Sequence, residues 1–307
     1  MRVPSTCADP RLAALAERYL AFLAYAQNPT GWFRNFMDYS RRFLDEDGSE
    51  DCFGRALGAC VEVMASPRAG PGSRLLAGRL WARALPHVAA LRALRAQALT
   101  LVALRRHHEA SPDHATGVLA HRLGQRLLAA YRAAAAPGWH WFEETMTYAN
   151  GVLPQGMLAA YVITGRRSYL RVARESLDFL DDCCFRPGCA KLVGNRHWYR
   201  RGGAPADFDE QPLDAAHLVE ANLEAYLVTG ATRYRELAHR AAAWFQGQNQ
   251  LGVSLLDPAT GGCYDGLTPE GVNLNQGAES LLACLWTQVL MRELEVTPEA
   301  LPAAGTS

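Results

Sequence analysis

Two neighbouring stretches of the chain are dense in side chains able to exchange protons or hold polar ligands. Gly194-Asn195-Arg196-His197-Trp198-Tyr199 is followed by Asp207-Phe208-Asp209-Glu210-Gln211-Pro212-Leu213-Asp214, with four acids in eight residues. Pro212 suits the first position of a helix, with the residues before it as cap. Capping accounts for one acid and leaves three beside an Asn, a His and two aromatic rings. Three more stretches have the same character. Trp139-His140-Trp141-Phe142-Glu143-Glu144 leads to Tyr148, Asn150 and Pro154. Asp257-Pro258-Ala259-Thr260-Gly261-Gly262 leads through Asp265 to Asn273-Leu274-Asn275-Gln276-Gly277-Ala278-Glu279-Ser280. Near the N-terminus, Gly48-Ser49-Glu50-Asp51 is followed by Arg55, one helical turn beyond Asp51.

Carboxylates on opposite sides of a glycosidic bond act as acid and base. Aromatic rings stack on sugar faces, and Asp, Asn, Gln and Arg bind hydroxyls. Asp209 is the expected general base, because a helix N-terminus favours a carboxylate. Glu143 or Glu279, each with apolar neighbours, is the expected acid. Asp51 and Arg55 would hold sugar hydroxyls, with Trp141 and Trp198 as stacking surfaces. Tyr148, Asn150, Asn195, His197, Gln211, Asp214, Asp265, Asn275 and Gln276 complete the expected substrate-binding set. Asp51, Glu143, Asp209 and Glu279 are expected to converge on one cavity. Other chemistries find no motif: the sequence has no GxSxG elbow, P-loop, dinucleotide fingerprint or HExxH.

The elements that would carry these residues show an internal repeat. Ala160-Tyr161-Val162-Ile163-Thr164-Gly165 with Tyr169 recurs 65 residues later as Ala225-Tyr226-Leu227-Val228-Thr229-Gly230 with Tyr234. Ala173 matches Ala238, and Phe179-Leu180 matches Trp244-Phe245. In each copy an apolar helix ends at a Gly fit for a left-handed C-cap, and a new helix follows at once. Such self-similarity predicts stacked helical hairpins. Apolar periodicity places helices near 10–26, 52–65, 73–84, 87–107, 112–134, 145–164, 168–183, 213–229, 232–248 and 277–293. This is five hairpins with no strand longer than a few residues. The expected fold is all-α: one α/α-toroid domain over residues 1–307, (α/α)6-like. Short turns at 165–168 and 230–232 alternate with long segments at 27–50, 184–211 and 249–276, which places the site at the long-loop end.

Composition narrows the partners. Lys plus Arg equals Asp plus Glu at 31 each, so nothing attracts a polyanion, and nucleic acid is not an expected partner. No uncharged run reaches membrane-spanning length, and no signal peptide opens the chain, so the expected location is cytoplasmic. Cys52, Cys60 and Cys284 fall in helical patterns and read as small core residues. Cys183, Cys184 and Cys189 lack the CxxC spacing of a zinc site, so neither metal nor cofactor is expected.

These motifs resemble a bacterial family of the six-hairpin glycosidase-like superfamily, found alone or fused to glycosyltransferases of polysaccharide loci. The resemblance runs from about Gly31 to Leu290 on the acid- and amide-rich stretches quoted above, together with Leu153-Pro154. It implies an (α/α)6 toroid and, commonly, glycoside hydrolysis by acidic residues. In two respects the sequence departs from the family. The family's additional N-terminal hairpin, with its Thr-Asp-Asp-Asn-Ala-Arg-like stretch, has no counterpart here. Cys52 and Phe53 stand where a small polar residue and a His belong. The expected function is an inverting-type glycoside hydrolase acting on a bacterial poly- or oligosaccharide. The alternative is a non-catalytic glycan-binding or scaffold partner of a glycosyltransferase. A sugar epimerase on the same toroid would need paired histidines, and His197 stands alone.

Overall fold

The structure, a computed structural model, describes residues 10–296. Ten helices are present among them: α1 (Pro10–Ala26), α2 (Glu50–Ala65), α3 (Pro71–Val88), α4 (Leu94–Ala110), α5 (His114–Ala134), α6 (Val152–Thr164), α7 (Arg167–Cys184), α8 (Pro212–Thr229), α9 (Thr232–Ala243) and α10 (Ala278–Val296). Six two-residue strands form three antiparallel ladders. β1 (Thr145–Met146) pairs β4 (Tyr199–Arg200), β2 (Phe185–Arg186) pairs β3 (Cys189–Ala190), and β5 (Leu267–Thr268) pairs β6 (Gly271–Val272).

The chain divides into two compact units. One comprises the chain up to Leu127 together with Ala159–Tyr169; the other comprises Leu128–Leu158 and the chain from Leu170. In the first unit, α2 packs on α3 and α4. Ser49 caps α2 by accepting a hydrogen bond from Cys52 N at 3.1 Å. The neighbouring Glu50 accepts from Arg92 N and Ala93 N at 2.8 and 2.6 Å, tying the start of α2 to the entry of α4.

In the second unit, α8 packs on α9 and α10. From Pro212 to Ala225, α8 is buried on almost every face, which identifies it as a central helix. The neighbouring α7 is amphipathic instead. Its buried Val172, Ala173, Ser176, Leu177 and Leu180 recur at spacings of three and four residues. The largest buried rings of this unit are Trp139, Trp141, Trp244 and Tyr234.

The turn anticipated from the repeat occurs twice with the same wiring. Thr164 and Thr229 each donate a hydroxyl proton to the carbonyl four residues back, both at 2.6 Å. Gly165 (φ 69°) and Gly230 (φ 70°) take the left-handed conformation and close on Tyr161 O and Tyr226 O at 2.7 and 2.8 Å. A side chain there would be strained, so the Gly is dictated by the turn. Tyr169 and Tyr234, both fully buried, follow four residues on. Tyr169 Oη bonds His121 Nδ1 at 2.9 Å and accepts from Gln125 Nε2 at 3.0 Å; Tyr234 Oη donates to Asp178 at 2.8 Å.

Three boundaries differ from the expected ones by five residues or more. The helix expected from 145 begins at Val152, because Thr145–Met146 is paired as a strand and Ala149 has a left-handed φ of 48°. The helix expected over 87–107 is split: α3 continues through Pro86 to Val88, and α4 starts only at Leu94. The helix expected to reach 248 ends at Ala243 and tightens into a 3-10 turn, Trp244–Gln246, before Gly247. No described helix is long and apolar enough to cross a membrane.

Candidate functional site

The second unit gathers three of the chemically dense stretches around the N-terminus of α8. Between β4 and α8 the chain folds back on itself. Gly194 N donates to Ala206 O at 3.0 Å, Asn195 N to Asp209 O at 3.0 Å, and Ala206 N to Trp198 O at 2.9 Å. A Cβ on Gly194 would lie 1.9 Å from Phe208 O, so this close backbone approach admits only Gly. The β1–β4 ladder then brings Tyr148 to Trp198, with ring centroids 6.5 Å apart and planes 52° apart. Trp198 itself has a left-handed φ of 61°. For a bulky residue this is a strained conformation, and strain of this kind collects at functional sites.

Below these rings, Asn150 N donates to Asp214 Oδ1 at 3.3 Å, and Asn150 Nδ2 to Thr147 O at 2.8 Å. Both side chains are buried, and Asn150 Oδ1 has no partner. Asn150 and Asp214 line a pocket of about 10 Å³ with Leu180, Cys184, Leu192 and Leu218. That is room for about one water molecule, with an unpaired amide oxygen on its wall.

Asp209 is half-buried at the surface and pairs with Arg196, Nε to Oδ2, at 3.4 Å. The next residue, Glu210, is wholly buried. Its Oε2 accepts from Leu192 N at 3.0 Å and Trp244 Nε1 at 2.6 Å, and its Oε1 from Gln250 Nε2. Its backbone exchanges two 3.0 Å hydrogen bonds with Leu267. Glu210 therefore ties the 185–211 and 247–277 loops to the Trp244 turn. Burial raises its pKa to about 7, against the pull of its hydrogen bonds. With both oxygens engaged inside the protein, it positions the loops and does not face a ligand. Within its acid-rich motif, nothing in the local sequence sets Glu210 apart from its neighbours. The only sequence cue is the recurrence of an aromatic pair at 244–245, since a buried indole needs an acceptor.

The remaining expected residues fall into distinct settings. Asn195 and Gln211 are half-buried within the loop and at the α8 cap, and His197 is exposed. Asp265 caps α10 from a distance, accepting from Gly277 N at 2.6 Å, Ser280 Oγ at 2.7 Å and Asn275 Nδ2. Partial burial works against its ionisation, but the hydrogen bonds from Ser280, Gly277 and Asn275 hold its pKa below the ordinary carboxylate value. Gln276 donates to Asp257 Oδ2 at 2.9 Å. Glu279 is exposed in the first turn of α10, as a dipole-favoured surface acid would be. Glu143 is half-buried, and its carbonyl accepts from Trp139 Nε1 at 2.9 Å. In the first unit, Asp51 is half-buried in the first turn of α2, with Arg55 exposed one turn on.

Trp141 is the clear correction. It is completely buried, edge-on to Phe142, and offers no face for a sugar to stack on. Its flanking aromatics belong to the core, as aromatic runs ahead of a helix often do. The exposed ring nearest that role is Tyr148, beside Trp198.

Solved structures with the same architecture come from carbohydrate enzymes. A cellobiose 2-epimerase from Bacillus thermoamylovorans matches with a TM-score of 0.65 at 11% identity, over 92% of this chain and 84% of that one. The GH76A alpha-1,6-mannanase of a Salegentibacter species matches with a TM-score of 0.62 at 12% identity, over 92% and 99%. An unsaturated glucuronyl hydrolase from a Bacillus species matches with a TM-score of 0.63 at 14% identity, over 90% and 76%. The chain has their all-α toroid fold. These neighbours are six-hairpin glycosidase-like enzymes, and an inactive variant of the mannanase is solved with alpha-1,6-mannotetrose. No protein-family model and no curated protein matches the sequence.

Proposed function

We propose that the chain is a glycan-processing enzyme, an inverting-type glycoside hydrolase acting on a bacterial poly- or oligosaccharide. One observation carries this reading. Segments 148–150, 195–198 and 209–214 are held together by the contacts just described, and they supply a ring pair and a surface carboxylate in one place, anchored from beneath by the buried Asn150 and Asp214. That combination suits a sugar ring with its hydroxyls. Toroid neighbours that are glycoside hydrolases support it further.

On this reading Asp209 removes a proton from the attacking water. Glu143 or Glu279 protonates the leaving oxygen on the other side of the bond, and no covalent intermediate forms. Tyr148 and Trp198 supply the stacking surface in place of Trp141. Asn195, His197 and Gln211 hold hydroxyls, with the buried Asp214 fixing the floor beneath them, and Asp51 and Arg55, which belong to the first unit, are a separate candidate pair for hydroxyls. Asp265, Asn275 and Gln276 shape the loop that bears Glu279.

One observation favours a second reading, a non-catalytic glycan-binding partner of a glycosyltransferase. Arg196 pairs with Oδ2 of Asp209 at 3.4 Å, and a guanidinium beside a carboxylate lowers its strength as a base. A polysaccharide hydrolysis screen read by mass spectrometry separates the two. Hydrolysis that disappears in Asp209→Asn, with ligand affinity retained, supports the enzyme. Glycan binding without turnover in the wild type supports the binding module, and wild-type turnover in Asp209→Asn refutes the assigned base. Glu143→Gln and Glu279→Gln identify the acid.

A further inference from the structure

In the second unit, the 247–277 loop runs back along α10, and two alternate residues make the contact. Tyr264 N donates to Leu255 O at 2.8 Å and Cys263 is bridged to Leu256, so the backbone here is extended. In an extended chain, residues 263 and 265 face the same way and lie about 6.6 Å apart. Asp265 Oδ1 meets Ser280 Oγ at 2.7 Å, and Cys263 meets Cys284, thiol to thiol, one helical turn further on. A turn advances the helix by about 5.4 Å, so loop and helix run antiparallel and in register. They also lie close, since a Cβ on Gly277 would stand 3.0 Å from Asp265 Oδ1. Cys263 and Cys284 are both buried, and both are free thiols.

The two sulfurs have unequal surroundings. The Cys263 proton has two acceptors, Tyr264 O at 3.5 Å and the Cys284 sulfur. The Cys284 sulfur receives twice, because Gln288 Nε2 also donates to it, at 3.5 Å. The hydrogen bond from Cys263, helped by the one from Gln288, holds the Cys284 thiol below the ordinary cysteine value, although burial pushes it up. Burial instead pushes Cys60 and Cys183 up to about 12, and raises Cys52 and Cys184 as well. The thiolate is the reactive form of cysteine.

We propose that Cys284 is a peroxide-oxidation site with Cys263 as its resolving partner, and that the product is a disulfide joining the loop to α10. The amide over Cys284 belongs to Gln288, an exposed residue, so a molecule as small as hydrogen peroxide reaches the sulfur by displacing one side chain. The Cys284 thiolate attacks one peroxide oxygen, the O–O bond breaks, and hydroxide leaves to become water. Cys263 sulfur then displaces the hydroxyl of the Cys284 sulfenic acid, which departs with the thiol proton as a second water. Two electrons pass from the sulfur pair to the peroxide. The bond fastens the loop that carries Asp265, Asn275 and Gln276 to the helix that carries Glu279. Any effect on glycan turnover rests on the function proposed above; the bond itself does not.

Peptide mass spectrometry of the full chain, reduced and then treated with hydrogen peroxide, tests the proposal without reference to a glycan. Wild type is expected to lose two thiols to a Cys263–Cys284 link and to regain both with dithiothreitol. Its thermal midpoint should rise by about 5 °C on oxidation, as closing a loop of roughly 20 residues predicts, and fall back on reduction. Cys263→Ser should stop at a Cys284 sulfenic acid that dimedone traps, and Cys284→Ser should leave Cys263 unoxidised. In reduced wild type, where no variant has to fold, iodoacetamide should label Cys284 about tenfold faster than the more exposed Cys183. Oxidation that yields no Cys263–Cys284 link, or labelling of Cys183 ahead of Cys284, overturns the proposal.

Discussion

Replacing Asp181 with Asn should flatten the pH dependence of stability in the second unit. Asp181 lies on α7 and is almost wholly buried; Asn222 Nδ2 of α8 donates to its Oδ1 at 2.9 Å. Asp181 Oδ2 and Asn222 Oδ1 are both buried without partners. Burial raises the pKa of Asp181 to about 8, and its hydrogen bond from Asn222 only partly offsets this. A protonated Asp181 has a proton to donate, and Asn222 Oδ1 is an idle acceptor on the same neighbour. The sign follows from the two states. The unfolded chain releases this proton near pH 4, whereas the folded chain keeps it until about pH 8, so rising pH favours unfolding throughout that window. Each pH unit removes about 1.4 kcal/mol, or about 3 kcal/mol between about pH 5 and about pH 7. Glu210, raised to about 7, adds a slope of the same sign but is present in both proteins and cancels in the difference. Urea unfolding of wild type and Asp181→Asn at these pH values measures it. The variant should be at least as stable as wild type at neutral pH, with its advantage growing toward pH 8. Parallel pH profiles, or an Asn variant less stable by more than about 2 kcal/mol at neutral pH, would refute a buried neutral acid.

Three further outcomes are expected. Gly194→Ala should cost more than about 3 kcal/mol or displace the 194–211 loop, because the new methyl would meet Phe208 O; urea unfolding and proteolysis of the loop test this. Tyr234→Phe should cost about 1 kcal/mol by thermal unfolding, since it removes the hydroxyl shared by Asp178 and Arg233 while keeping the ring. Glu210→Ala should cost about 3 kcal/mol or more, by leaving the Trp244 indole and Leu192 N without their acceptor, and should quench any glycan turnover by loosening both loops.

The helical architecture was legible in the sequence where local chemistry decides it. Thr164-Gly165 and Thr229-Gly230 announce their turns because Thr back-bonding and a left-handed Gly operate within a few residues. The amphipathic spacing of α7 gave its extent to within one residue. Legibility failed where distant pairing decides. Thr145–Met146 is a strand only because Tyr199–Arg200 lies beside it, more than fifty residues along the chain. The candidate site follows the same rule. Loop composition singled out Asp209, Asn150, Asp214 and Trp198, but composition does not tell a ring in the core from one at the mouth, as Trp141 shows. Nor did it separate Glu210 from Asp209, since adjacent acids acquire opposite surroundings only when the Trp244 turn closes over one of them.

The Thr-Gly turn has a consequence for how such a chain can lengthen. Every hydrogen bond that closes it lies within a window of about ten residues, and the same wiring serves α6–α7 and α8–α9. A joint that needs nothing from distant sequence can be copied along with the helices it joins. A duplicated segment of 65 residues would arrive with its bend already specified, leaving only the packing of its outer faces to be adjusted. Growth by whole hairpins is then a short mutational step, whereas the loops stitched by Glu210 draw on three distant segments and would have to be rebuilt each time.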